Sequence, residues 1–263
     1  MAGPRILLTN DDGIDATGFR ALYDALSDVG EVTAVAPASD QSAVGRQLSR
    51  SVSVSEHELG YEVRGTPADC VIAGLEVLVP ESDLVISGCN RGANLGAYVL
   101  GRSGTVSAAV ESTFFDVPAI AVSLYVPMGR DVTFGGVEVD YDSYAEATRA
   151  ARHLAERAYG AGVFERADYL NVNAPPAEWG TAEMAVTEPS TVYRMRAHHE
   201  GDRIDLEDEI WALMAEGDVP DEPGTDRHAV VDGTVSVSPL TAPHTTERHE
   251  ALDAVAANFG SSD

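Results

Sequence analysis

The chain of 263 residues carries 43 acidic side chains against 17 basic ones, a formal net charge of −26, and its basic residues other than histidine are all arginine. Such a surface repels phosphate chains and excludes a nucleic-acid polymer as partner, and the lack of lysine excludes Schiff-base chemistry and a lysine-dependent phosphate loop. About 1 M salt shortens the Debye length to about 3 Å, so the composition predicts a halophilic source, the alternative being an ordinary acidic protein.

Other global features narrow the class of protein. No apolar run reaches about 18 residues, so we expect no membrane span. Residues 1–13 lack the long apolar stretch of a secretion signal, and we expect a cytoplasmic protein. Cys70 and Cys89 occur without CxxC or HxxxH spacing, which predicts two reduced, partly buried thiols rather than a zinc site.

The first 40 residues have the pattern of a βαβ unit. An apolar run over residues 5–9 predicts a buried parallel strand that ends in Asn10-Asp11-Asp12-Gly13. Residues 18–26 have apolar side chains at helical spacing, and Gly30 closes this helix. Residues 31–36 form a second strand before Pro37. Strand, helix and strand in this order predict a mostly parallel sheet.

The next 85 residues continue the alternation of strands and helices. Thr66 is a candidate N-cap with Pro67 in the first helical turn. We expect, in chain order, a flanking hairpin over residues 51–64, a helix over 68–78, a strand over 83–87, a glycine-rich loop over 88–101, a helix over 106–115 and a strand over 118–124.

Beyond residue 125 the pattern loosens. The spacing predicts a helix over 141–159 and a strand over 168–173, and a terminal helix over 245–259. Between residues 183 and 237 we expect only strands and loops, with an acidic loop over 216–226. The predicted fold class is therefore α/β, with a mostly parallel sheet flanked by helices and a smaller C-terminal extension that contains β-hairpins and a terminal helix.

Polar side chains follow three of the predicted strands, at residues 10–12, 39–42 and 87–90. In a parallel sheet, ligands bind beyond the carboxyl ends of the strands. Adjacent Asp11 and Asp12 raise one another's pKa unless a positive charge neutralises them, and a bound cation is the natural source of that charge. Oxygen donors suit Mg²⁺, Mn²⁺ or Ca²⁺. The alternative for either aspartate alone is a helix N-cap or an Asx turn.

The turn Ser103-Gly104-Thr105 precedes a predicted helix, where free N–H groups and the helix dipole attract phosphate. Plain N-capping is the alternative for this turn. The glycine-rich segment over 88–96 lets backbone approach a ligand closely, but it is neither GxGxxG nor a Walker loop. We expect the histidines, among them His198, His199 and His228, to be surface or partner-contact residues.

Several segments resemble the SurE (survival protein E) family of nucleotidases across nearly the whole chain, most densely in the first 125 residues. The matching segments are ILLTNDDGIDATG (6–18), VAPASDQSAVG (35–45), GTPADCV (65–71), SGCNRGANLG (87–96), SGTVSAAVE (103–111), LNVNAP (170–175) and GTVSVSPL (233–240). The resemblance implies a Rossmann-like core over 1–125, with residues 126–263 completing one domain and supplying the elements of a homodimer or homotetramer.

The resemblance also implies an activity and a set of site residues. The family releases phosphate from nucleoside 5′- and 3′-monophosphates, and in some cases from short polyphosphate. It implies one divalent cation per subunit, Mg²⁺, Mn²⁺ or Ca²⁺, bound by Asp11, Asp12, Ser42 and Asn90. Asp11 and Asp12 would also be catalytic. The predicted phosphate-binding residues are Asn10, Asn94, Ser103, Gly104 and Thr105.

Three questions stay open at the level of sequence. An attacking water and a direct attack by an aspartate are competing mechanisms. A non-catalytic nucleotide-binding or sensing protein on the same fold is the alternative function. Arg102 stands where the family usually has tyrosine or histidine, and an arginine there either pairs with phosphate or points to solvent.

Overall fold

The computed structural model describes residues 3–127, 139–242 and 250–257. The strands are β1 (Arg5–Thr9), β2 (Glu31–Pro37), β3 (Ser53–His57), β4 (Gly60–Arg64), β5 (Leu84–Arg91), β6 (Ala119–Leu124), β7 (Tyr169–Ala174), β8 (Met184–Val186), β9 (Met195–Glu200), β10 (Arg203–Asp208) and β11 (Val235–Leu240). The helices are α1 (Thr17–Ser27), α2 (Pro67–Ala73), α3 (Ala97–Leu100), α4 (Gly104–Thr113), α5 (Ala145–Arg157), α6 (Glu209–Glu216), α7 (Asp226–Val231) and α8 (Glu250–Ala257).

Within the described residues, nine strands form one sheet in the order β3-β4-β2-β1-β5-β6-β7-β11-β8. The six central strands, from β4 to β7, are parallel to one another. The flanking hairpin β3–β4 and the pair β7–β11 are antiparallel, while β9 and β10 form a separate hairpin. The predicted mostly parallel sheet with a C-terminal extension is confirmed.

Helices cover both faces of the sheet. Successive residues of β1 point to opposite faces, so Ile6 and Leu8 pack with α1 and α5, whereas Leu7 packs with α2 and α4. Each of these three side chains is at most 1% exposed. Because both faces are buried, the strands are continuous apolar runs, and this explains why the early elements were predictable from the sequence.

The cap predicted at Thr66 is present. Its hydroxyl accepts the N–H of Asp69, and the Asp69 carboxylate accepts the N–H of Thr66, which together form a capping box at the start of α2. α2 ends at Ala73 and continues as a π-helical turn over Gly74–Leu78. The two cysteines are free and fully buried, deeper than the partial burial expected.

Two predictions about local structure are wrong. The glycine-rich segment does not begin as a loop, because β5 continues through Gly88 to Arg91. A β-bulge after Ser87 lets pairing with β6 resume at Asn90 and Ser123. The segment 183–237 also contains helices α6 and α7. The Asp208 carboxylate caps α6, and Gly217 ends it at φ 74°.

The terminal helix is described over Glu250–Ala257, and the rest of the predicted range lies outside the described residues. Among the helices that the structure describes, none combines the length and apolarity needed to cross a membrane. The division into residues 1–125 and 126–263 stays a prediction, although β7, β11 and β8 from the second part extend the sheet begun by the first.

Candidate active site

The four polar segments predicted to form a site do meet at the end of β1. The Asp11 carbonyl oxygen accepts the N–H of Gln41 at 2.7 Å, which fixes the segment after β2. The Asp12 Oδ2 oxygen accepts the N–H of Arg91 at 2.9 Å, which fixes the end of β5. The Thr105 hydroxyl donates to Asp11 Oδ1, which fixes the start of α4. Neighbouring parallel strands share one sheet edge, and their ends therefore converge there.

Asp11 lies under the first turn of α4. Its side chain is 4% exposed, and a Cβ placed on Gly104 would lie only 2.7 Å from Asp11 Cβ and 2.8 Å from Oδ2. Burial raises the pKa of Asp11, and hydrogen bonds from the Thr105 hydroxyl and N–H oppose this rise. Gly104 is thus the residue that lets the helix start approach the carboxylate.

Asp12 is the more accessible of the two aspartates. Burial and the adjacent charge of Asp11 raise the pKa of Asp12 from 3.8 to about 7, while the N–H and the charge of Arg91 act in the opposite direction. Asp12 also lines a cleft, described below. An ionised pair at this edge therefore needs a compensating positive charge beyond what the neighbouring side chains provide.

Asp40 is a third carboxylate whose role was not predicted from the sequence. Its charge contributes to the raised pKa of both Asp11 and Asp12. Its Oδ1 oxygen accepts the Ser42 N–H at 2.7 Å and the Ser42 hydroxyl at 2.6 Å. Asp40 thus holds the predicted ligand Ser42 in place. The available signal was its position in the polar cluster that follows β2.

Asn90 and Asn10 occupy the adjoining strand ends. The Asn90 side-chain nitrogen donates to the Gly92 carbonyl, so Oδ1 is the atom that the predicted ligand role requires. The Asn10 side-chain nitrogen donates to the Gly13 carbonyl at 2.7 Å. Its Oδ1 oxygen is buried and has no hydrogen-bond partner among the described residues. An unsatisfied buried acceptor beside two carboxylates favours a bound cation or an ordered water.

The donor set fits a hard divalent cation. Two carboxylates, a serine hydroxyl and an amide oxygen are the ligand types that Mg²⁺, Mn²⁺ and Ca²⁺ prefer. Within the described residues, no group of three or more His, Cys, Asp or Glu side chains is arranged to hold a metal ion. The predicted set contains only two such side chains, and the rest of the coordination would come from Ser42, Asn90 and water.

The start of α4 shows the geometry of an N-cap. The Ser103 hydroxyl accepts the Val106 N–H at 3.1 Å, and Thr105 contacts Asp11 as described above. α4 has ten residues, and its positive end points at a carboxylate. The capping alternative for Ser103 is therefore present, and contact of residues 103–105 with phosphate stays a prediction.

Asn94 lies beyond β5 and is also buried. Its side-chain nitrogen donates to Ser123 Oγ at 3.0 Å, and its backbone is bound by amides of β7. Arg102 lies over the ring of Tyr98, 5.2 Å from the guanidinium carbon to the ring centroid. His198 and His199 are exposed on β9, which agrees with a surface position.

A cleft of about 720 Å³ opens beside Asp12. Its lining combines charged and apolar side chains and comprises Asp12, Ala16, Thr17, Asp40, Arg91, Val139, Asp140 and Tyr144. This volume is typical of small-molecule sites, and the cleft shares Asp12 with the predicted cation site. Sequence reasoning named neither Arg91 nor Tyr144 as a site residue. Arg91 directly follows the predicted ligand Asn90, which was the available signal, whereas Tyr144 approaches Asp12 only through folding.

The fold and the site together define a class. The chain is an α/β protein with a mostly parallel sheet. Acidic, amide and hydroxyl side chains lie beside a cleft at the carboxyl ends of its strands, which is where small molecules bind in this class of fold. The sequence model of the family described as "Survival protein SurE" matches residues 6–196. The chain belongs to the SurE family, and the predicted family is confirmed.

Similar proteins agree with this membership. The chain is 67% identical over 259 residues to a protein named 5′-nucleotidase SurE from Haloarcula marismortui, an alignment that covers 98% of this chain and 96% of that relative. It is 62% identical to the protein of the same name from Haloquadratum walsbyi, over 97% of this chain and 96% of that relative. The predicted halophilic source agrees with these relatives, which come from halophilic archaea.

A solved structure confirms the fold class. The crystal structure of the SurE protein from Aquifex aeolicus superimposes with a TM-score of 0.77 at 31% sequence identity. The superposition covers 97% of this chain and 99% of that chain.

Proposed function

We propose that this chain is a divalent-metal-dependent phosphatase that hydrolyses nucleoside 5′-monophosphates to nucleoside and phosphate. The relatives named above carry the name of this nucleotidase activity at up to 67% identity over nearly the full chain. The observation that carries the proposal is the convergence of Asp11, Asp12, the segment of Ser42 and the end of β5 beside one cleft.

Asp11, Asp12, Ser42 and Asn90 would hold the cation. The support is electrostatic, since three carboxylates, counting Asp40, lie close enough to raise the pKa of Asp11 and Asp12. When bound, a divalent cation would supply positive charge to a phosphoryl oxygen and favour ionisation of a water. Phosphate brings further negative charge to this edge and deepens the need for a cation.

The side chains divide the remaining work. Thr105 holds the buried carboxylate of Asp11, and Asp40 holds Ser42. Asp12 lines the cleft and orients the attacking water. The water oxygen forms a bond to phosphorus as the bond between phosphorus and the nucleoside 5′-oxygen breaks, and the departing oxygen takes up the proton that the water releases. The start of α4 and Asn94 stabilise charge on the other phosphoryl oxygens.

The test is phosphate release from 5′-AMP, with Mg²⁺ or Mn²⁺, at a fixed high KCl concentration. We expect turnover that EDTA abolishes and added Mn²⁺ restores. Asp11→Asn should lower turnover about 10³-fold, on the order of 4 kcal/mol of transition-state stabilisation. The control is Asp15→Asn on the same loop, whose side chain is 85% exposed, and we expect turnover within about twofold of wild type.

Three results would contradict the proposal. Turnover that persists unchanged in EDTA would show that the activity needs no metal ion. Binding of 5′-AMP without phosphate release would favour the sensing alternative. A covalent phosphoaspartate trapped during turnover would replace the attacking water with direct attack by an aspartate.

We extend the proposal to three finer properties. The same site accepts nucleoside 3′-monophosphates and short polyphosphate, to be measured in the same assay with 3′-AMP and tripolyphosphate. The protein is a homodimer or homotetramer, which light scattering on a sizing column at high salt would reveal. It works in the cytoplasm, which the free cysteines and the lysine-free acidic composition support, and cell fractionation would check this.

A further inference from the structure

The segment LNVNAP contributes two buried asparagines, and both bind the backbone of one residue near the site. Asn173 Oδ1 accepts the Asn94 N–H at 2.7 Å, and Asn173 Nδ2 donates to the Asn94 carbonyl at 3.2 Å. Asn171 Nδ2 donates to the same carbonyl at 2.8 Å. Asn173 therefore pairs with Asn94 as a neighbouring strand would, through one donor and one acceptor.

The side chain of Asn94 is bound from the next strand. Its Nδ2 nitrogen donates to Ser123 Oγ at 3.0 Å, and Ser123 on β6 is the register partner of Asn173 on β7. Ser123, Asn171 and Asn173 are all fully buried. Burying such polar groups costs free energy unless they are hydrogen-bonded, and the bonds to Asn94 satisfy most of them. Asn171 Oδ1 alone among these amide atoms has no partner within the described residues. The contacts join residues 77 and 79 positions apart.

Asn94 occupies a sensitive place in the chain. It lies four positions after the predicted cation ligand Asn90 and nine before Ser103 at the start of α4. The neighbouring side chains Ala93 and Leu95 are buried against Ile210 of α6 and Val230 of α7. A carboxamide has two N–H donors, and Ser123 accepts only one of the two on Asn94. Within the described residues the second N–H has no acceptor, and it would donate to a phosphoryl oxygen once the residue is held in place.

We propose that Asn173 is a positioning residue for phosphate hydrolysis, which acts by fixing the backbone of Asn94 so that the Asn94 carboxamide meets the phosphoryl group. This inference rests on the proposed function and adds a residue from the C-terminal half to it. A displacement of about 1 Å in a group that stabilises the transition state lowers the rate by about 10²-fold. Removing Asn173 leaves the Asn94 N–H without its acceptor and leaves Asn171 as the remaining β7 donor to the Asn94 carbonyl.

The decisive experiment is a double-mutant cycle of Asn94→Ala and Asn173→Ala, with kcat and KM measured for 5′-AMP in Mn²⁺ at high KCl. We expect each single variant to lower kcat/KM by about 100-fold. If Asn173 acts through Asn94, the double variant should lie within about threefold of Asn94→Ala. Independent roles predict the product of the two effects, about 10⁴-fold, and that result would overturn the proposal.

A second measurement reads the geometry without catalysis. Hydrogen exchange in the peptide 91–102 should be faster in Asn173→Ala than in wild type, because the Asn94 N–H loses its acceptor. The matched control is Ser238→Ala, since Ser238 is also fully buried and binds Thr187 at 2.9 Å. We expect this control to keep wild-type exchange in 91–102 and activity within about twofold. Equal effects of the two variants would overturn the proposal.

Two contingencies are covered by the same design. If Asn173→Ala does not fold, Asn171→Ala, which removes one hydrogen bond to Asn94, enters the same cycle with the same non-additivity expected. A wild-type protein without phosphate release would overturn the proposed function and this inference together. An active wild type with an additive cycle would overturn this inference alone.

Discussion

The carboxylates at the end of β1 and the carboxylate of Asp69 at the start of α2 are the same chemical group in opposite surroundings. Asp69 accepts the N–H groups of Ser49 and Thr66, and although burial opposes them, these bonds hold its pKa below the usual value. For Asp11 and Asp12, burial outweighs the available donors and raises the pKa. Asp69 is stabilised by the backbone N–H groups of Ser49 and Thr66, whereas the β1 pair lacks sufficient compensation within the described residues.

The contrast separates a structural aspartate from a functional one. At Asp69 the N–H groups of Ser49 and Thr66 outweigh burial, and this carboxylate needs no ligand. At Asp11 the hydroxyl and N–H of Thr105 do not outweigh burial, although they also lie at a helix start. Two carboxylates that raise one another's pKa reduce the stability of the folded chain until a cation joins them.

The largest effect is expected for Asp12→Asn, with opposite signs for activity and stability. Turnover of 5′-AMP should fall about 10³-fold, while the metal-free variant should be more stable than wild type above neutral pH. In wild type the pKa of Asp12 is raised from 3.8 to about 7 by folding. The folded state therefore binds the proton more tightly, and stability falls as pH rises through this interval.

Urea unfolding in EDTA at fixed high KCl, from pH 4 to 8, measures this slope. The difference between variant and wild type should grow with pH and level off above about pH 8. Asp15→Asn, whose side chain is exposed, should show neither the gain in stability nor the loss of activity. A variant less stable than wild type at pH 8 would mean that Asp12 is stabilised by its surroundings as Asp69 is.

The second-largest effect is expected from a substitution that adds steric crowding at Asp11 and leaves its charge unchanged. Gly104→Ala would place a Cβ 2.7 Å from Asp11 Cβ, so the start of α4 must move away from the carboxylate. We expect turnover to fall about 100-fold and the affinity for Mn²⁺ to weaken, because Asp11 and the phosphate-binding turn are displaced together. Steady-state kinetics and Mn²⁺ titration are the measurements.

Gly101→Ala is the matched control for this substitution. Gly101 lies three positions earlier, at φ −76°, and a Cβ there meets nothing within 4 Å. Turnover within about twofold of wild type is expected. Equal losses in both variants would assign the effect to the loop backbone rather than to the contact with Asp11.

At Asp226, burial raises the pKa of the carboxylate and hydrogen-bond donors lower it. It accepts N–H groups from Gly96, Ser190 and Arg227, yet burial keeps its pKa above the usual value. Arg227 is itself fully buried, 3.4 Å from Asp221. Asp226 and Arg227 thus bind the loop after β5 to α7, in the region that the sequence predicted least well.

Gly96→Ala breaks this junction. Gly96 has φ +86°, and a Cβ there would lie 2.0 Å from Nη2 of Arg227, a side chain that is fully buried. Gly180→Ala, at φ +100° with nothing within 4 Å, carries the backbone strain without the collision. We expect Gly96→Ala to lower the free energy of unfolding by about 2 kcal/mol more than Gly180→Ala. If urea unfolding gave equal losses of stability for the two variants, the Arg227 side chain would have moved away from the added methyl group.

The N-terminal half of the chain was predicted better from the sequence than the C-terminal half. β1 and β2 are buried on both faces, so apolar runs and their polar ends were visible in single segments. The meeting of Asp11, Asp12, Asn90 and the segment of Ser42 followed from the shared edge of parallel strands. The role of Asp40 was not predictable, because only the fold shows which member of its cluster holds Ser42.

Contacts between residues far apart in the sequence could not be predicted. Nothing local to Asn173 indicates that its amide pairs with the backbone of Asn94, since that contact needs β7 to lie beside β6. Helices α6 and α7 are short, and an acidic segment over 217–225 separates them. Their buried side chains, such as Ile210 and Val230, pack against a loop more than 100 residues earlier, so no local periodicity marked them.

The smallest effect is expected at Asp69. Asp69→Asn keeps the shape of the capping box but removes the charge that the N–H groups of Ser49 and Thr66 favour, and should lower the free energy of unfolding by about 1 kcal/mol at pH 7. The folded pKa lies below the unfolded value. This contribution is therefore complete above about pH 4 and is lost as pH falls through the folded pKa.

The pH dependence of the Asp69 contribution is thus opposite to that of Asp12. In urea unfolding, the stability of Asp69→Asn should approach that of wild type in acid, as should the stability of Asp12→Asn. At neutral pH, Asp69→Asn should be less stable than wild type and metal-free Asp12→Asn more stable. Turnover of 5′-AMP should stay within about twofold, since Asp69 contacts neither the cleft nor the ends of β1 and β5. A gain in stability at neutral pH in Asp69→Asn would mean that burial, not hydrogen bonding, governs both kinds of carboxylate.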